Sequence, residues 1–392
     1  MTTPRLNVSH SSFPPSPLLA SVSLPSLVHN LGIIRNRLSP SCRILAVVKA
    51  DAYGHGAVPI AHALAQQGIR RFGVASVQEG IVLRESGLTA QILVMGGLLP
   101  CHLPALIHYH LTPVLSDERI AGQLATILDD EKRPYPVHLK IDTGMRRMGF
   151  SSDAVVPFLH SSLFHGVLSV EGLMTHLADA DDPASDFTEF QLHQFHGLIE
   201  TLEATGLAIP LIHAANSAAL LRYPSAHFRM VRTGIMLYGY APTLVPNTEL
   251  GLRPVLTLTT CLVHIHRVNA GDTLGYNRTY RCARPSRIAI LPIGYAHGLS
   301  RRLSNRGKVL IHGQPASIVG RICMDMTLVD VTGHKEAAPG DEAVIIGSTD
   351  GENISAEDIA QWQETIPYEV LCDLGTHAHR VYEPLSPLPE QP

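Results

Sequence analysis

Lys49 stands directly behind the apolar run Leu45-Ala46-Val47-Val48 and opens the segment Lys49-Ala50-Asp51-Ala52-Tyr53-Gly54-His55-Gly56. An amine at the rim of an apolar wall is desolvated, which lowers its pKa and suits it to form a Schiff base with an aldehyde. A lysine that merely begins a solvated loop has the same spacing. The decision rests on what else gathers nearby. Four further segments carry polar residues behind apolar runs: Lys140-Ile141-Asp142-Thr143 leading to Arg146-Arg147, Met174-Thr175-His176, His213-Ala214-Ala215-Asn216-Ser217, and Val231-Arg232-Thr233-Gly234-Ile235. Brought together, these cations and His176 make an anion site. The Ser217 hydroxyl and the backbone N–H groups near Ser217 and Gly234-Ile235 are suitable phosphate donors. A phosphate-bearing cofactor whose aldehyde meets Lys49 is the simplest joint reading.

The elements that must position these residues show in the periodicity. Short β-rich runs occur at 43–49, 71–75, 91–95, 111–115, 136–141, 168–175, 210–213 and 228–235, with helical spacing between most of them, as at 57–67, 77–86, 117–129 and 185–205. Eight strands alternating with helices is the count of an α/β (β/α)8 TIM-like barrel, whose strand C-terminal ends carry the active site. An open doubly wound sheet competes, but its glycine-rich nucleotide fingerprint after the first strand is missing. After Tyr240 come Pro242, Pro246 and Pro254, and then runs rich in Val, Ile, Leu and Thr: 256–268, 287–292, 308–311, 316–319, 326–331 and 342–346. These predict a mostly β C-terminal domain, with one helix at about 355–364. The expected organisation is a disordered arm over 1–17, a cofactor-binding barrel over 18–245, a β-rich domain over 246–383 and a loose tail over 384–392.

Composition bounds the rest. At 392 residues, two domains are the first expectation. Charged residues make up 16% against a globular norm of about 25%, with mean hydropathy +0.13, which suggests surface buried by self-association. The net charge of −4 and scattered basic residues exclude an obvious nucleic-acid footprint. No stretch supplies the roughly 20 apolar residues of a membrane span. The N-terminal Ser/Pro-rich segment lacks an apolar signal core. Six dispersed cysteines without a C-x-x-C pair favour reduced thiols in the cytoplasm. The pairs His108/His110, His264/His266 and His377/His379 could each chelate from one strand face, but no third ligand recurs beside them, and no metal is expected.

At this point the residues resemble a known family. AVVKADAYGHG (46–56) is similar to the cofactor-lysine motif of the alanine racemases. The likeness continues through KIDTGMRRMGF, MTHLADAD, HAANSAA, VRTGIMLYG, LGYNRTY, LPIGYAHG, VGRICMD and IPYEV, in order over about 18–383. The resemblance implies that Lys49 binds pyridoxal 5'-phosphate (PLP) and acts as one base, with Tyr276 as the other. It assigns Tyr53, Ser217, Gly234, Ile235 and Tyr368 to the phosphate. Arg232, backed by His176, goes to the pyridine nitrogen, and Arg147 to the phenolic oxygen and the substrate carboxylate. Lys140, which is carbamylated in many relatives, positions Arg147, and Asn216 lies beside them. In the family, the tyrosine and methionine matching Tyr276 and Met324 reach the barrel mouth from the partner subunit, so a homodimer with shared active sites and alanine as substrate is implied. D-Alanine supply for peptidoglycan and alanine catabolism are both roles found among such enzymes.

Departures from the pattern fall around the entrance. Asn277-Arg278 follows Tyr276 where small residues are common, His297 replaces an aspartate, and the ending reads His377-Ala378-His379-Arg380. Arg278 adds a cation beside the expected second base. Two other readings compete: a racemase preferring serine or a broad substrate set, and a PLP-carrier protein. The carrier needs neither a second base nor a β domain. A related decarboxylase would favour a carboxylate at the pyridine nitrogen, where this chain has Arg232.

Overall fold

The computed structural model describes residues 16–128, 134–161, 167–242 and 247–385. Most of the expected N-terminal arm, the end of the tail, Asp129, Pro246 and the domain boundary at 245/246 lie outside the described residues. The chain divides into two compact units.

The first unit runs from Leu24 to Ala52 and from Gly56 to Arg253. All eight expected barrel strands are present, six trimmed by one or two residues, β5 shifted one residue towards the N-terminus and β8 shorter by two at each end: β1 (Arg43–Val47), β2 (Arg71–Val74), β3 (Gln91–Val94), β4 (Thr112–Leu115), β5 (Tyr135–Lys140), β6 (Leu168–Met174), β7 (Leu211–His213) and β8 (Met230–Thr233). They form one parallel sheet in sequential order from β7 down to β1, and β1 then pairs with β8, with Leu45 opposite Arg232. The ring closes through two backbone bonds, Arg229 N–H to Ile212 O at 3.1 Å and Arg232 N–H to Ala215 O at 2.9 Å. The inner residues of β1 and all of β4 are buried, which is why those stretches read as unbroken apolar runs rather than alternating ones.

The expected helices appear as Ala57–Gln66, Val77–Glu85, Glu118–Ile127 and Phe187–Ala204. Three others carry a proline that hides them in the sequence: Leu24–Arg35, Leu103–His108 and Ser152–Leu159. In the first two, the proline sits in the opening turn, where its missing N–H costs nothing. In the third, Pro157 lies inside the helix.

The second unit gathers Leu19–Ser23, Tyr53–His55 and the chain from Pro254 on. Its sheet runs in the order His264–Val268, Ser286–Leu291, Thr327–Asp330, Gln314–Ile318, Lys308–Ile311, Glu342–Thr349, Leu256–Cys261, Leu19–Ser23 and His379–Glu383. Leu19–Ser23 lies antiparallel to Leu256–Cys261 and parallel to His379–Glu383. The run 256–268, which reads as one strand, is two strands. Between them the Leu262 and Val263 N–H groups turn to the Asp341 and Ile290 carbonyls. Two helices follow, Ala356–Gln363 and Pro367–His377. No helix among the described residues is long and apolar enough to cross a membrane.

Candidate active site

The residues after β1 form a left-handed turn. Ala50, Asp51, Ala52 and Tyr53 have φ of 51°, 51°, 55° and 54°, although none is glycine. Each such residue costs about 1–2 kcal/mol, so neighbouring groups must hold the turn in place. Asp51 Oδ1 accepts the Ala57 N–H at 2.6 Å, and the Asp51 carbonyl accepts that of Gly56 at 2.8 Å. Glu79 Oε1 accepts the Ala50 N–H at 2.8 Å, while its Oε2 accepts those of Ala75 and Ser76. Glu79 was legible only as the third position of a Ser-x-x-Glu capping box with Ser76. The structure gives it a second task, bracing the turn that begins with Lys49. Glu79→Ala should lower the melting temperature by the equivalent of about 1–3 kcal/mol and slow PLP incorporation, followed by absorbance, because three backbone donors lose their acceptor. Lys49 itself is exposed at the end of the strand, so the barrel wall does not supply the burial expected for it.

Arg232 on β8 is fully enclosed. Its terminal nitrogens donate to the carbonyls of Thr175 (2.8 Å), Ala214 (2.9 Å) and His213 (3.0 Å), and to Nδ1 of His176 (3.1 Å) and of His213 (3.2 Å). The Nε–H is the one guanidinium donor these contacts leave over. Burial lowers Arg232 to about 10, still well above neutrality, so it stays charged. Behind it runs a directional file. His213 accepts from Arg232 at Nδ1, so its Nε2–H donates to Nδ1 of His138 at 2.8 Å. Burial, with the charges of Arg71 and Arg232, pushes His138 down to about 3. Burial, then His138, Arg232 and Arg71, hold His213 well below its ordinary range. His176 is likewise kept neutral, first by burial and then by Arg232, Arg147, Lys140 and Lys49. The sequence pointed to His176 and passed over His138 and His213, whose only signal was polarity inside two apolar strands.

Lys140, at the end of β5, is buried and lowered to about 8, chiefly by burial and then by Arg147 and Arg232, with Asp142 opposing. The loop that follows folds back tightly. Phe150 N–H returns to Lys140 O at 2.8 Å, and Gly149, at φ 137°, passes so close that a Cβ would lie 2.6 Å from Asp142 N. This turn presents Arg147 at the surface beside Lys140. Thr143 and Thr175 share a 2.7 Å hydroxyl contact, and Gln191 from Phe187–Ala204 binds Thr143 Oγ1 and His176 O, tying the loops after β5 and β6 together. The loop after β7 starts a short helix, Ser217–Arg222. The Asn216 carboxamide oxygen caps it through Ala219 N–H at 2.9 Å, so that oxygen is committed to the helix. Ser217 Oγ accepts the Gly234 N–H at 3.2 Å, joining the loops after β7 and β8, and Ser217, Gly234 and Ile235 are all buried.

In the other unit, Gly54 and Gly375 meet backbone to backbone. A Cβ on Gly54 would lie 2.4 Å from Leu371 O, and one on Gly375 would lie 2.6 Å from Gly54 O. Arg380 Nε donates to Gly54 O at 2.8 Å and Tyr382 Oη to His55 O at 3.1 Å. This close seat sets the Tyr53 ring 5.8 Å from that of Tyr368, centroid to centroid. Burial, then Tyr368 and Cys372, raises Tyr53, so it is a neutral O–H donor at any working pH. Tyr276 sits on the turn between the paired segments Thr273–Leu274 and Tyr280–Arg281, and it is 65% exposed. Leu274, Cys282, Ile288 and Val319 pack beneath that hairpin and anchor it. Met324 is also exposed, and its segment is pinned by Tyr295 N–H to Cys323 O and Ala296 N–H to Met324 O. Among the described residues no His/Cys/Asp/Glu group is arranged to hold a metal.

Cations gathered at the C-terminal rim of a closed β/α barrel define an enzyme class that holds an anionic cofactor there. The particular family follows from comparison with known proteins. The alanine racemase N-terminal domain matches residues 22–242 and the alanine racemase C-terminal domain matches 255–382, so the chain belongs to the alanine racemase family. It is 41% identical over 367 residues to the alanine racemase of Carboxydothermus hydrogenoformans, covering 93% of this chain and 99% of that one. Among solved structures, alanine racemase from a D-cycloserine-producing Streptomyces lavendulae superposes with a TM-score of 0.90 at 33% identity, covering 95% of this chain and 98% of that one. Alanine racemase from Bartonella henselae, solved with covalently bound pyridoxal phosphate, gives 0.84 at 28% identity, covering 94% and 100%.

Proposed function

We propose that this chain interconverts L- and D-alanine with PLP attached at Lys49, using Lys49 and Tyr276 as bases on opposite faces of the substrate Cα. The residues suit that cofactor. Lys49, Lys140, Arg147 and Arg232 face one carboxylate, Asp142, in their mutual electrostatics, which leaves net positive charge for an anion. The Ser217 hydroxyl and the Ile235 N–H would supply donors for a phosphate, as would the Gly234 N–H on leaving Ser217 Oγ, and the resemblance assigns the hydroxyls of Tyr53 and Tyr368 to the same group. When bound, PLP supplies a conjugated ring that delocalises the electron pair left at Cα.

Arg232 carries the reading. Its remaining Nε–H would be the donor to the ring nitrogen, and it would keep its proton, because a guanidinium is no practical acid. Electron withdrawal by the bound ring would then stay modest, which would favour return of a proton over loss of the carboxylate. His176 holds Arg232 from the side. Arg147 holds the phenolic oxygen and the substrate carboxylate, with Asn216 nearby and Met324 on the substrate side. Lys49 Nζ takes or returns the proton on one face and Tyr276 Oη on the other, since inversion needs a base on each.

Lys140, with its pKa near 8, has enough free amine at neutral pH to take up carbon dioxide as a carbamate whose negative charge then holds Arg147. The carbamate fraction should rise as pH climbs through about 8, because only the neutral amine reacts. Carbon-13 NMR of enzyme in labelled bicarbonate checks this, with Lys140→Ala as the blank. A carbamate signal equal in the two proteins would remove Lys140 from the role.

Two features support a homodimer with shared sites. Tyr276, Tyr295, Met324 and Met326 are all exposed, and backbone contacts unite them into one patch, with Gly275 against Arg321 and Gly294 against Cys323 and Met324. A second copy covering this patch would receive Tyr276 at its own barrel mouth. The functional division is placed at 245/246, in the interval between the two family matches. Six free cysteines suit a reducing cytoplasm.

The test is incubation with L-alanine in deuterated water. D-alanine with Cα deuterium and no carbon dioxide supports the reading. Gas release, or binding without exchange, overturns it.

A further inference from the structure

A cleft of about 440 Å³ opens at the N-terminal rim of the barrel, at the opposite strand ends from Lys140 and Arg232. Its walls are the end of helix Leu24–Arg35, the loop to Cys42, the start of β1 and the Gly68–Arg71 approach to β2. Four arginines line it, Arg35, Arg43, Arg70 and Arg71, and no carboxylate does.

Three of the four side chains are held in place. The Arg35 guanidinium donates to Gln67 O, and that of Arg70 to Ala65 O at 3.1 Å. Arg71 has the nearest counter-charge, Glu171 at 3.6 Å, but Glu171 is shared with the Gln91 amide at 2.6 Å. The Arg71 Nε–H is buried with no acceptor. Burial and the charge of Arg43 both push against the Arg71 cation. An orphaned buried donor costs about 1–3 kcal/mol, and crowded like charges add to that cost. A bound anion relieves the crowding of charge, while the Arg71 Nε–H, closed off from solvent, stays out of its reach.

We propose that this cleft binds a small phosphate-bearing anion, at a site separate from the one that takes the cofactor phosphate. Guanidinium forks match phosphate oxygens in pairs, and a phosphoryl group brings nearly two negative charges to four positive ones that Glu171 alone offsets. A carboxylate brings one charge and two oxygens, too few for the donors present. The volume falls in the range of small-ligand pockets and accommodates one or two phosphoryl groups.

The test uses PLP-loaded enzyme, so that the cofactor phosphate site is already filled. Inorganic phosphate, pyrophosphate and AMP are titrated separately by calorimetry at low ionic strength. One anion per chain should bind with a dissociation constant of about 1 mM or tighter. The preferred titrant distinguishes a free phosphate from a nucleotide. Arg43→Gln/Arg70→Gln, at two exposed positions, should weaken binding at least about tenfold with the melting temperature of the unliganded protein unchanged. Arg43→Lys/Arg70→Lys, which keeps charge but not the fork, should fall between. No saturable binding by any titrant, or equal affinity in the double glutamine variant, would overturn the proposal. Loss of binding in chloride of matched ionic strength would show an adventitious ion only.

Discussion

Lys49→Ala should lose at least about 10⁴-fold in racemisation while the folded protein keeps its stability within about 0.5 kcal/mol. The two halves of that result come from the same geometry. Lys49 is exposed and contributes little packing, while Glu79 and Asp51 secure the turn through backbone N–H groups that alanine retains. Loss of one base removes proton transfer on one face, and loss of the amine removes the covalent seat for PLP. Steady-state polarimetry measures the first effect. Borohydride reduction followed by mass spectrometry measures the second, since only a Schiff base to the protein is fixed by reduction. An active Lys49→Ala enzyme, or cofactor still fixed to the chain, would show that another residue holds the aldehyde.

Arg232→Ala should cost about 3–5 kcal/mol of apo-protein stability, a loss that Lys49→Ala does not share. The guanidinium is the common partner of three carbonyls and two histidine nitrogens in a closed interior. Removing it strands four of the five, since the His213 carbonyl keeps the Thr175 N–H at 3.3 Å. Arg232→Lys keeps a charge but cannot reach this spread of acceptors, so it should recover only part of the loss. The loss should appear before PLP is added, in urea unfolding of the apo-enzyme. A change below about 1 kcal/mol would mean that water replaces the guanidinium and that the file through His213 and His138 does not depend on it.

The barrel was legible because buried parallel strands must be apolar on both faces, and the alternation with helices leaves few other folds. The cation cluster was legible for a related reason: Lys140 and Arg232 stand at ends of runs that otherwise only pack. Three things were hidden. The left-handed turn after Lys49 carries no glycine at its four strained positions, so nothing local announces it. His138 and His213 look like stray polar residues until the closed ring sets them 2.8 Å apart. Leu19–Ser23 lies ahead of the barrel strands, and only register pairs it between strands more than 200 residues away. Each hidden feature depends on contacts between segments far apart in the chain. Tyr276 marks the reverse case: its motif was readable, while its exposure on a small hairpin does nothing by itself to reveal a catalytic task.

The two-base assignment of Lys49 and Tyr276 is tested most directly by following alanine labelled with deuterium at Cα in ordinary water, with mass analysis of the product enantiomer over the first turnovers. Two bases on opposite faces return a proton that is not the one removed, so the product should carry solvent protium at Cα. Product that keeps the substrate's own deuterium would show one base serving both faces, and would contradict the account.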